Sequence, residues 1–108
     1  MHEVTVSATR REANDTLCVE LSVPESVSEL FRYKAGQYLT FADTILGEEI
    51  RRSYSICTTL GEPLTVAIKR IEGGLFSEHA HVKFVPGYRL RVAPPDGLFY
   101  TEFDPGRA

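Results

Sequence analysis

The sequence has few cysteines, and their positions exclude several kinds of site. Cys18 and Cys57 are the only two among 108 residues. They are too far apart in the chain to form a Cys-x-x-Cys redox motif or a closely spaced pair of metal ligands. The sequence leaves a disulfide between them open, but we expect two reduced thiols, as in cytoplasmic proteins.

Basic residues are not in excess, and long apolar runs are missing. The chain has 12 Lys and Arg against 15 Asp and Glu, a formal net charge of -3, whereas nucleic-acid binders usually show a clear basic excess. No run approaches membrane-spanning length, and the first residues lack the pattern of a signal peptide. We therefore expect a cytoplasmic protein with no nucleic-acid partner and no membrane partner.

Histidines are also scarce, and two of the three lie close together. His79 and His81 fall in a segment of helical character, where residues two apart point to different faces. This spacing makes a poor pair of metal ligands. We expect both to be solvated or partly packed helix residues, and we expect no metal site.

What the sequence does contain is apolar and polar residues alternating with a period of two, which is typical of strands with one buried face. Turn signals rich in glycine and proline separate the alternating runs. The spacing predicts about six strands in one small antiparallel barrel or sandwich. A short helix is expected at residues 76–84, and a helical turn at 26–31. The alternating positions are Val4, Val6 and Ala8; Leu17, Val19, Leu21 and Val23; Leu39 and Phe41; Ile50, Arg52, Tyr54 and Ile56; Leu64, Val66 and Ile68; and Leu90 and Val92.

One of these strands carries a polar pair on a single face. In an extended strand Arg52 and Tyr54 project to the same side, about 6.6 Å apart along the chain. A guanidinium can hold phosphate oxygens through paired donors, and a phenol ring has a flat face for stacking. The pair therefore favours a ligand that is anionic at one end and aromatic at the other, such as a flavin nucleotide. The alternative is a barrel strand whose arginine and tyrosine lie at the rim.

A turn with two glycines, Gly73-Gly74-Leu75-Phe76-Ser77, precedes the expected helix. Glycine lets the backbone approach a ligand closely, and a helix N-terminus presents N–H groups to an anion. Ser77 either donates its hydroxyl to a phosphate or caps the helix. The negative charge of Glu78 counts against a phosphate here. The alternative is therefore a purely structural turn with a serine N-cap.

Taken together, these segments resemble the ferredoxin–NAD(P) reductase family. Arg52-Ser53-Tyr54-Ser55 matches that family's Arg-x-Tyr-Ser flavin signature, and Gly74-Leu75-Phe76-Ser77 is similar to its Gly-x-x-Ser pyrophosphate loop. Order and spacing agree along nearly the whole chain. The remaining matches are the Gly-Gln-Tyr strand at residues 36–39, the strand at 66–69 and the Pro-x-Gly-x-Phe turn at 95–99.

The resemblance implies an all-β fold, an antiparallel six-stranded Greek-key barrel with one short helix. It implies Tyr54 and Ser55 as the catalytic residues at the flavin ring, with Ser55 near the N5 atom through a local bend or a backbone N–H. Arg52 would bind the pyrophosphate, and Lys69 is explained equally well as an exterior lysine. The implied cofactor-binding residues are Tyr38, Arg52, Ser53, Tyr54, Ser55, Ala67, Ile68, Lys69, Gly74, Leu75, Phe76 and Ser77.

The resemblance also implies an FAD-dependent NAD(P)H oxidoreductase. The run at residues 47–57 is similar to reductase components of phenylacetyl-CoA epoxidases and of ring- and steroid-hydroxylating oxygenases. Electrons would pass from NAD(P)H through FAD to an iron–sulfur centre that serves an oxygenase component, in phenylacetate or other aromatic degradation. Two alternatives stay open: an FMN-binding relative, and a non-flavin β-barrel interaction module.

The expected domain organisation follows from the same resemblance. Residues 1–102 would be the FAD-binding barrel, and residues 103–108 would begin a linker to an NAD(P)-binding domain. The sequence itself contains no glycine-rich dinucleotide motif after a strand and no four-cysteine cluster. We therefore expect the NAD(P)-binding and iron–sulfur domains in the full-length protein only, and this chain alone to be inactive with NAD(P)H.

Overall fold

The computed structural model describes residues 1–34, 36–58 and 62–97, which contain six strands, one α-helix and one 3₁₀ helix. The strands are β1 (His2–Glu12), β2 (Thr16–Ser22), β3 (Tyr38–Ile45), β4 (Glu48–Ser55), β5 (Thr65–Lys69) and β6 (Arg89–Val92). The helix α1 spans Leu75–Lys83, and the 3₁₀ helix spans Glu25–Phe31. The six strands, the short helix and the helical turn predicted from the sequence are therefore confirmed.

The strands form an antiparallel sheet in the order β4-β3-β6-β1-β2-β5. The last strand, β6, lies between β1 and β3, so the connection returns across the earlier hairpins as in a Greek key. An isolated bridge between Ile56 and Val66 joins the two ends of this order. The sheet therefore closes on itself, which confirms the Greek-key barrel implied by the family resemblance.

The core lies inside this barrel and is built from the alternating apolar positions. Phe76 and Ala80 of α1, together with Phe84 just after it, are buried against the same core. Fully burying a large apolar side chain contributes about 1.5–3 kcal/mol, so these residues hold α1 to the sheet. Other buried members are Val4, Val6, Leu17, Val19, Leu21, Leu39, Phe41, Leu64, Val66, Ile68, Leu90 and Val92.

One predicted alternation is broken by an irregularity. In β1 the pairing with β2 shifts between Val6 and Ala8, as in a β-bulge. Val6 is buried, whereas Ala8 is only half-buried and does not belong to the core. The expectation that Ala8 shares the buried side with Val4 and Val6 is therefore wrong. Neither helix in the part of the chain described is long and apolar enough to cross a membrane.

Candidate functional site

Strands β4 and β5 pair at one end of the seam between them and separate toward the other. At the paired end, which we call the closed end, the Cys57 N–H donates to the Thr65 carbonyl oxygen at 2.9 Å, next to the Ile56–Val66 bridge. Beyond that bridge β4 and β5 are the two edges of the sheet. Edge strands present backbone groups that no neighbouring strand uses. We call this separated part, flanked by residues 53–55 and 67–69, the open end.

The register of β4 determines which of its backbone groups point into the open end. The Ile56 N–H donates to the Gln37 carbonyl oxygen at 3.1 Å, and hydrogen-bonded pairs recur at every second residue of an antiparallel ladder. Ser53 and Ser55 lie between those pairs. Their N–H and C=O groups therefore point away from β3 and toward β5, in the same direction as the Cys57 N–H.

The same alternation applies on β5. The Arg70 N–H donates to the Asp15 carbonyl oxygen at 2.8 Å, which sets the hydrogen-bonded pairs between β5 and β2. Ala67 and Lys69 lie between those pairs, so their backbone groups point toward β4. The side chain of Ile68 is buried, and that of Lys69 is exposed. The structure thus directs the backbone groups of Ala67 and Lys69 toward β4, whereas the side chain of Ile68 packs in the core.

A cleft of about 280 Å³ lies between β4 and the start of α1. The predicted strand residues 52–54 and the predicted turn residues 74–77 line it together, although they are distant in the sequence. Ligand pockets commonly occupy about 300–1,000 Å³, so this cleft can enclose one portion of an extended ligand. Its lining is Arg52, Ser53, Tyr54, Ile71, Gly74, Leu75, Phe76 and Ser77.

Arg52 brings an uncompensated positive charge to the cleft. Its Nη1 donates to the Arg51 carbonyl oxygen at 2.7 Å, and no carboxylate of residues 1–34, 36–58 or 62–97 pairs with it. The neighbouring Arg51 instead donates to Glu49 at 2.9 Å. Hydrogen bonds from Arg51 and then from Arg91 lower the pKa of the Glu49 carboxyl. Of two adjacent arginines, only Arg52 therefore has a guanidinium available for an anion.

Tyr54 forms an aromatic surface beside that charge. The ring is half-buried, with ring centroids 5.8 Å from Phe41 and 5.9 Å from Phe76. Burial raises the pKa of the Tyr54 hydroxyl, an effect that the charge of Arg52 opposes. The phenol is therefore neutral near pH 7, and its ring is held in place for stacking by the two phenylalanines.

Ser77 and Glu78 hold the turn before α1. Gly74, not Ser77, is the N-cap of the helix, so the alternative of a serine N-cap is wrong. The buried Ser77 Oγ accepts a hydrogen bond from the Ile71 N–H at 3.0 Å. The Glu78 carboxylate accepts one from the Gly73 N–H at 2.8 Å, so its charge is engaged by the turn. The first N–H groups of α1 have no acceptor within the helix, and they begin at this turn.

Gly74 is required at this position because of the close packing of the turn. A Cβ atom added there would lie 2.8 Å from the Ser77 Oγ and 2.9 Å from the Ile71 carbonyl oxygen. The second of these atoms is backbone, so the turn itself would have to move. The glycine predicted to let a ligand approach thus also lets the chain pack on itself.

Tyr38 does not line the cleft. It pairs with Ser55 across β3 and β4, so the two side chains share the face opposite Arg52 and Tyr54. The backbone of Tyr38 exchanges two hydrogen bonds of 2.9 Å with Asp96, and a Cβ on Gly97 would lie 2.5 Å from its ring. The pairing is regular through Ser55, without the expected local bend, so its backbone N–H is the group directed to the open end. The predicted turn residues 98–99 and the boundary at 102–103 lie outside the described residues.

Sequence reasoning missed the environment of the two helix histidines. The His79 side chain is 12% exposed, in agreement with the expected partial packing, whereas His81 is buried, which was not expected. The His79 Nε2 lies 2.8 Å from the Asp43 carboxylate, and the His81 Nε2 lies 2.8 Å from the Ile68 carbonyl oxygen. No signal in the sequence pairs them with these distant partners. Within the described ranges there is no cluster of three or more potential metal ligands.

The chain is similar to known oxidoreductases along most of its length. The chain is 39% identical over 99 residues to a 1,2-phenylacetyl-CoA epoxidase subunit of Escherichia coli (strain K12), a match that covers 91% of the chain and 28% of that protein. It is 38% identical to ferredoxin–NADP reductase B of Sorangium cellulosum (strain So ce56), over 81% of the chain and 35% of that protein. The chain therefore spans only about a third of the length of these relatives.

A solved structure agrees with the barrel. An Amycolatopsis cytochrome P450 reductase superposes with a TM-score of 0.75 at 27% identity, over 91% of this chain and 29% of that one. The profile of the oxidoreductase FAD-binding domain family matches residues 3–100. This match covers nearly the entire chain and both segments that line the cleft. The protein therefore belongs to the oxidoreductase FAD-binding domain family and has a ferredoxin reductase-like barrel.

Proposed function

We propose that this chain holds FAD at the open end of the β4–β5 seam, as the flavin domain of an NAD(P)H-dependent oxidoreductase. The observation that carries the proposal is a cleft in which Arg52 stands beside the half-buried Tyr54 ring, opposite the start of α1. Arg52 pairs with no carboxylate in the part of the chain that the structure describes. A cationic group, a stacking surface and a helix N-terminus in one cleft match a ligand with an aromatic ring and phosphates.

The predicted site residues have specific parts in this proposal. Arg52 binds the pyrophosphate through its guanidinium, together with the backbone N–H groups at the start of α1. Tyr54 stacks on the isoalloxazine, and the N–H of Ser55 donates to the reactive edge of the ring. The backbone groups of Ala67 and Lys69 face the ring from β5. Tyr38 lies at the border of the site, where its ring packs on Gly97.

These residues bind and orient the cofactor, whose redox chemistry transfers the electrons. Bound FAD would accept electrons from a reduced nicotinamide and release them to a one-electron acceptor. The open end is accessible from outside the barrel, because β4 and β5 are the two edges of the sheet. Water or a second nucleotide can therefore reach it. We place the nicotinamide on that accessible side and assign its binding to a domain outside this chain.

The relatives support the downstream part of the proposal. They include proteins named as a phenylacetyl-CoA epoxidase subunit, a ferredoxin–NADP reductase and a glycine betaine monooxygenase reductase subunit. The family resemblance implies that electrons pass from the flavin to an iron–sulfur centre and an oxygenase component. We propose that role for the full-length protein, with phenylacetate degradation as its pathway and the cytoplasm as its location.

The test is flavin binding by the purified chain. FAD, FMN and riboflavin are titrated separately while flavin fluorescence and visible absorbance are followed, and mass spectrometry identifies any flavin that co-purifies. We expect FAD to bind in a one-to-one ratio and more tightly than FMN. A chain that binds none of the three would contradict the flavin site, and a preference for FMN would contradict the assignment of FAD.

A further inference from the structure

Helix α1 is attached to β3 by a hydrogen-bonded cluster outside the cleft. The Asp43 Oδ2 accepts from the Tyr88 hydroxyl at 2.6 Å and from the His79 Nε2 at 2.8 Å, while Oδ1 accepts from the Thr44 N–H at 3.0 Å. The His79 and Asp43 side chains are only 12% and 14% exposed. Because a carboxylate can only accept, the His79 Nε2 carries the hydrogen.

A second contact attaches α1 to β5. The His81 Nε2 lies 2.8 Å from the Ile68 carbonyl oxygen, so this nitrogen also carries its hydrogen. The Nδ1 atom then accepts from the Arg11 guanidinium at 3.4 Å, and the same guanidinium donates to the His81 carbonyl oxygen at 3.1 Å. His81 is buried, and every polar atom of its ring has a partner.

Both contacts end next to the flavin cleft. Ile68 lies between Ala67 and Lys69, whose backbone groups face the open end. The His79 ring lies 6.2 Å from that of Phe76, which lines the cleft and supports Tyr54. A displacement of α1 would therefore move both the start of the helix and the support of the stacking residue.

Packing alone would hold α1 less exactly in place. The helix has nine residues, and helices of that length owe their position to tertiary contacts. Its apolar contacts are with Phe41, Phe84 and their neighbours, and burial of apolar surface is non-directional. A hydrogen bond, by contrast, requires a defined distance and angle. Two such bonds, to different strands, fix the second turn of α1 on the barrel, and the first turn follows because it belongs to the same short helix.

We infer that His79 and His81 are positioning residues, which hold the start of α1 where its N–H groups can bind a flavin phosphate. The inference rests on the proposed function, and it deepens that proposal by assigning the phosphate subsite to a helix fixed by two histidines. Neither histidine lines the cleft, so neither is expected to contact the ligand.

The experiment compares FMN with riboflavin, which differ only by the phosphate. For each histidine, the asparagine variant (His79→Asn, His81→Asn) removes the donor at the Nε2 position, whereas the glutamine variant (His79→Gln, His81→Gln) retains an N–H there. We expect the ratio of the riboflavin Kd to the FMN Kd to fall about tenfold in the asparagine variants, or about 1.4 kcal/mol. The glutamine variants should recover most of the ratio, and Tyr88→Phe, a milder change that keeps the fold, should lower it about threefold.

Controls separate positioning from general loss of stability. Val4→Ala removes buried volume in β1, away from the cleft, and should lower thermal stability while leaving the ratio unchanged. Equal ratios in the wild type and the asparagine variants would overturn the positioning role and leave the flavin site intact. If the asparagine variants do not fold, Asp43→Asn, which removes the charge that His79 donates to, is measured instead, and an unchanged ratio there overturns the role of His79. A wild type that binds neither ligand overturns the flavin site itself, and this inference with it.

Discussion

At the closed end of the β4–β5 seam, the Cys57 N–H donates to the Thr65 carbonyl oxygen, and the barrel is complete. At the open end, the backbone groups of Ser53 and Lys69 point toward the seam in the same alternation, but no bridge joins these described residues. The closed end thus uses its backbone groups for the fold. In our proposal the open end keeps the same kind of groups for a ligand, beside a charge and an aromatic ring.

The aromatic support of the open end gives the largest expected effect. Phe76→Ala removes a side chain that is 1% exposed and contacts both Phe41 and Tyr54. It should cost about 3–5 kcal/mol of unfolding free energy and also weaken FAD binding. Val66→Ala, at the closed end, should lower stability only. Urea denaturation measures the unfolding free energy of both variants, and FAD titration measures their affinity for the cofactor. An equal loss of FAD affinity in the two variants would contradict the distinction between the two ends.

The two neighbouring arginines give the next comparison. Arg52→Ala should weaken FAD binding by about 1.5–3 kcal/mol, because it removes charge-assisted hydrogen bonds to phosphate. Arg51→Ala should change it less than about twofold, because Arg51 is exposed and already paired with Glu49. Arg52→Lys should recover only part of the affinity, since an ammonium lacks the planar fork. Fluorescence titration at fixed ionic strength measures the FAD affinity of each variant. Equal losses of affinity in Arg52→Ala and Arg51→Ala would indicate a general effect of charge.

Proline substitutions test the backbone on both sides of the comparison. Cys57→Pro removes the N–H that closes the seam and should cost about 1–3 kcal/mol of stability, because the Thr65 carbonyl loses its partner. Ser55→Pro removes an N–H that points into the open end, where an edge strand tolerates proline. It should leave stability within about 0.5 kcal/mol and weaken flavin binding by about 0.5–1.5 kcal/mol. A Ser55→Pro variant with full affinity would exclude this N–H from the site.

The smallest effect concerns the cluster that attaches α1. Burial, together with the hydrogen bond and the charge of Asp43, raises the pKa of Tyr88 to about 12. An unfolded tyrosine releases its proton near pH 10, whereas folded Tyr88 keeps its proton up to about pH 12. Between these values deprotonation lowers the free energy of the unfolded state relative to the folded state. Stability that is fully present below about pH 10 should therefore decline above it. Thermal unfolding from about pH 8 to about pH 11.5 measures the decline, and Tyr88→Phe should reduce it.

Much of the fold and part of the site could be predicted because they depend on local patterns. Period-two alternation identifies strands directly, and Gly73-Gly74 marks the start of a helix. The resemblance to a known family implied that residues 52–54 and 74–77 serve one ligand, and the two segments do line one cleft. The bulge after Val6 could not be predicted, because an extra residue in a strand changes the pairing without changing the composition.

The sequence by itself determined the six strands, the helix and the residue types that a flavin requires. Only the tertiary structure decided which of these groups are available, because pairing depends on distant residues. Arg51 pairs with Glu49, whereas Arg52 pairs with no carboxylate of the described residues, and Ser77 bonds to Ile71 rather than capping its helix. His79 is hydrogen-bonded to the carboxylate of Asp43, which lies 36 residues earlier in the sequence. Burial and hydrogen bonding between segments far apart in the chain are set by packing, which no local pattern records.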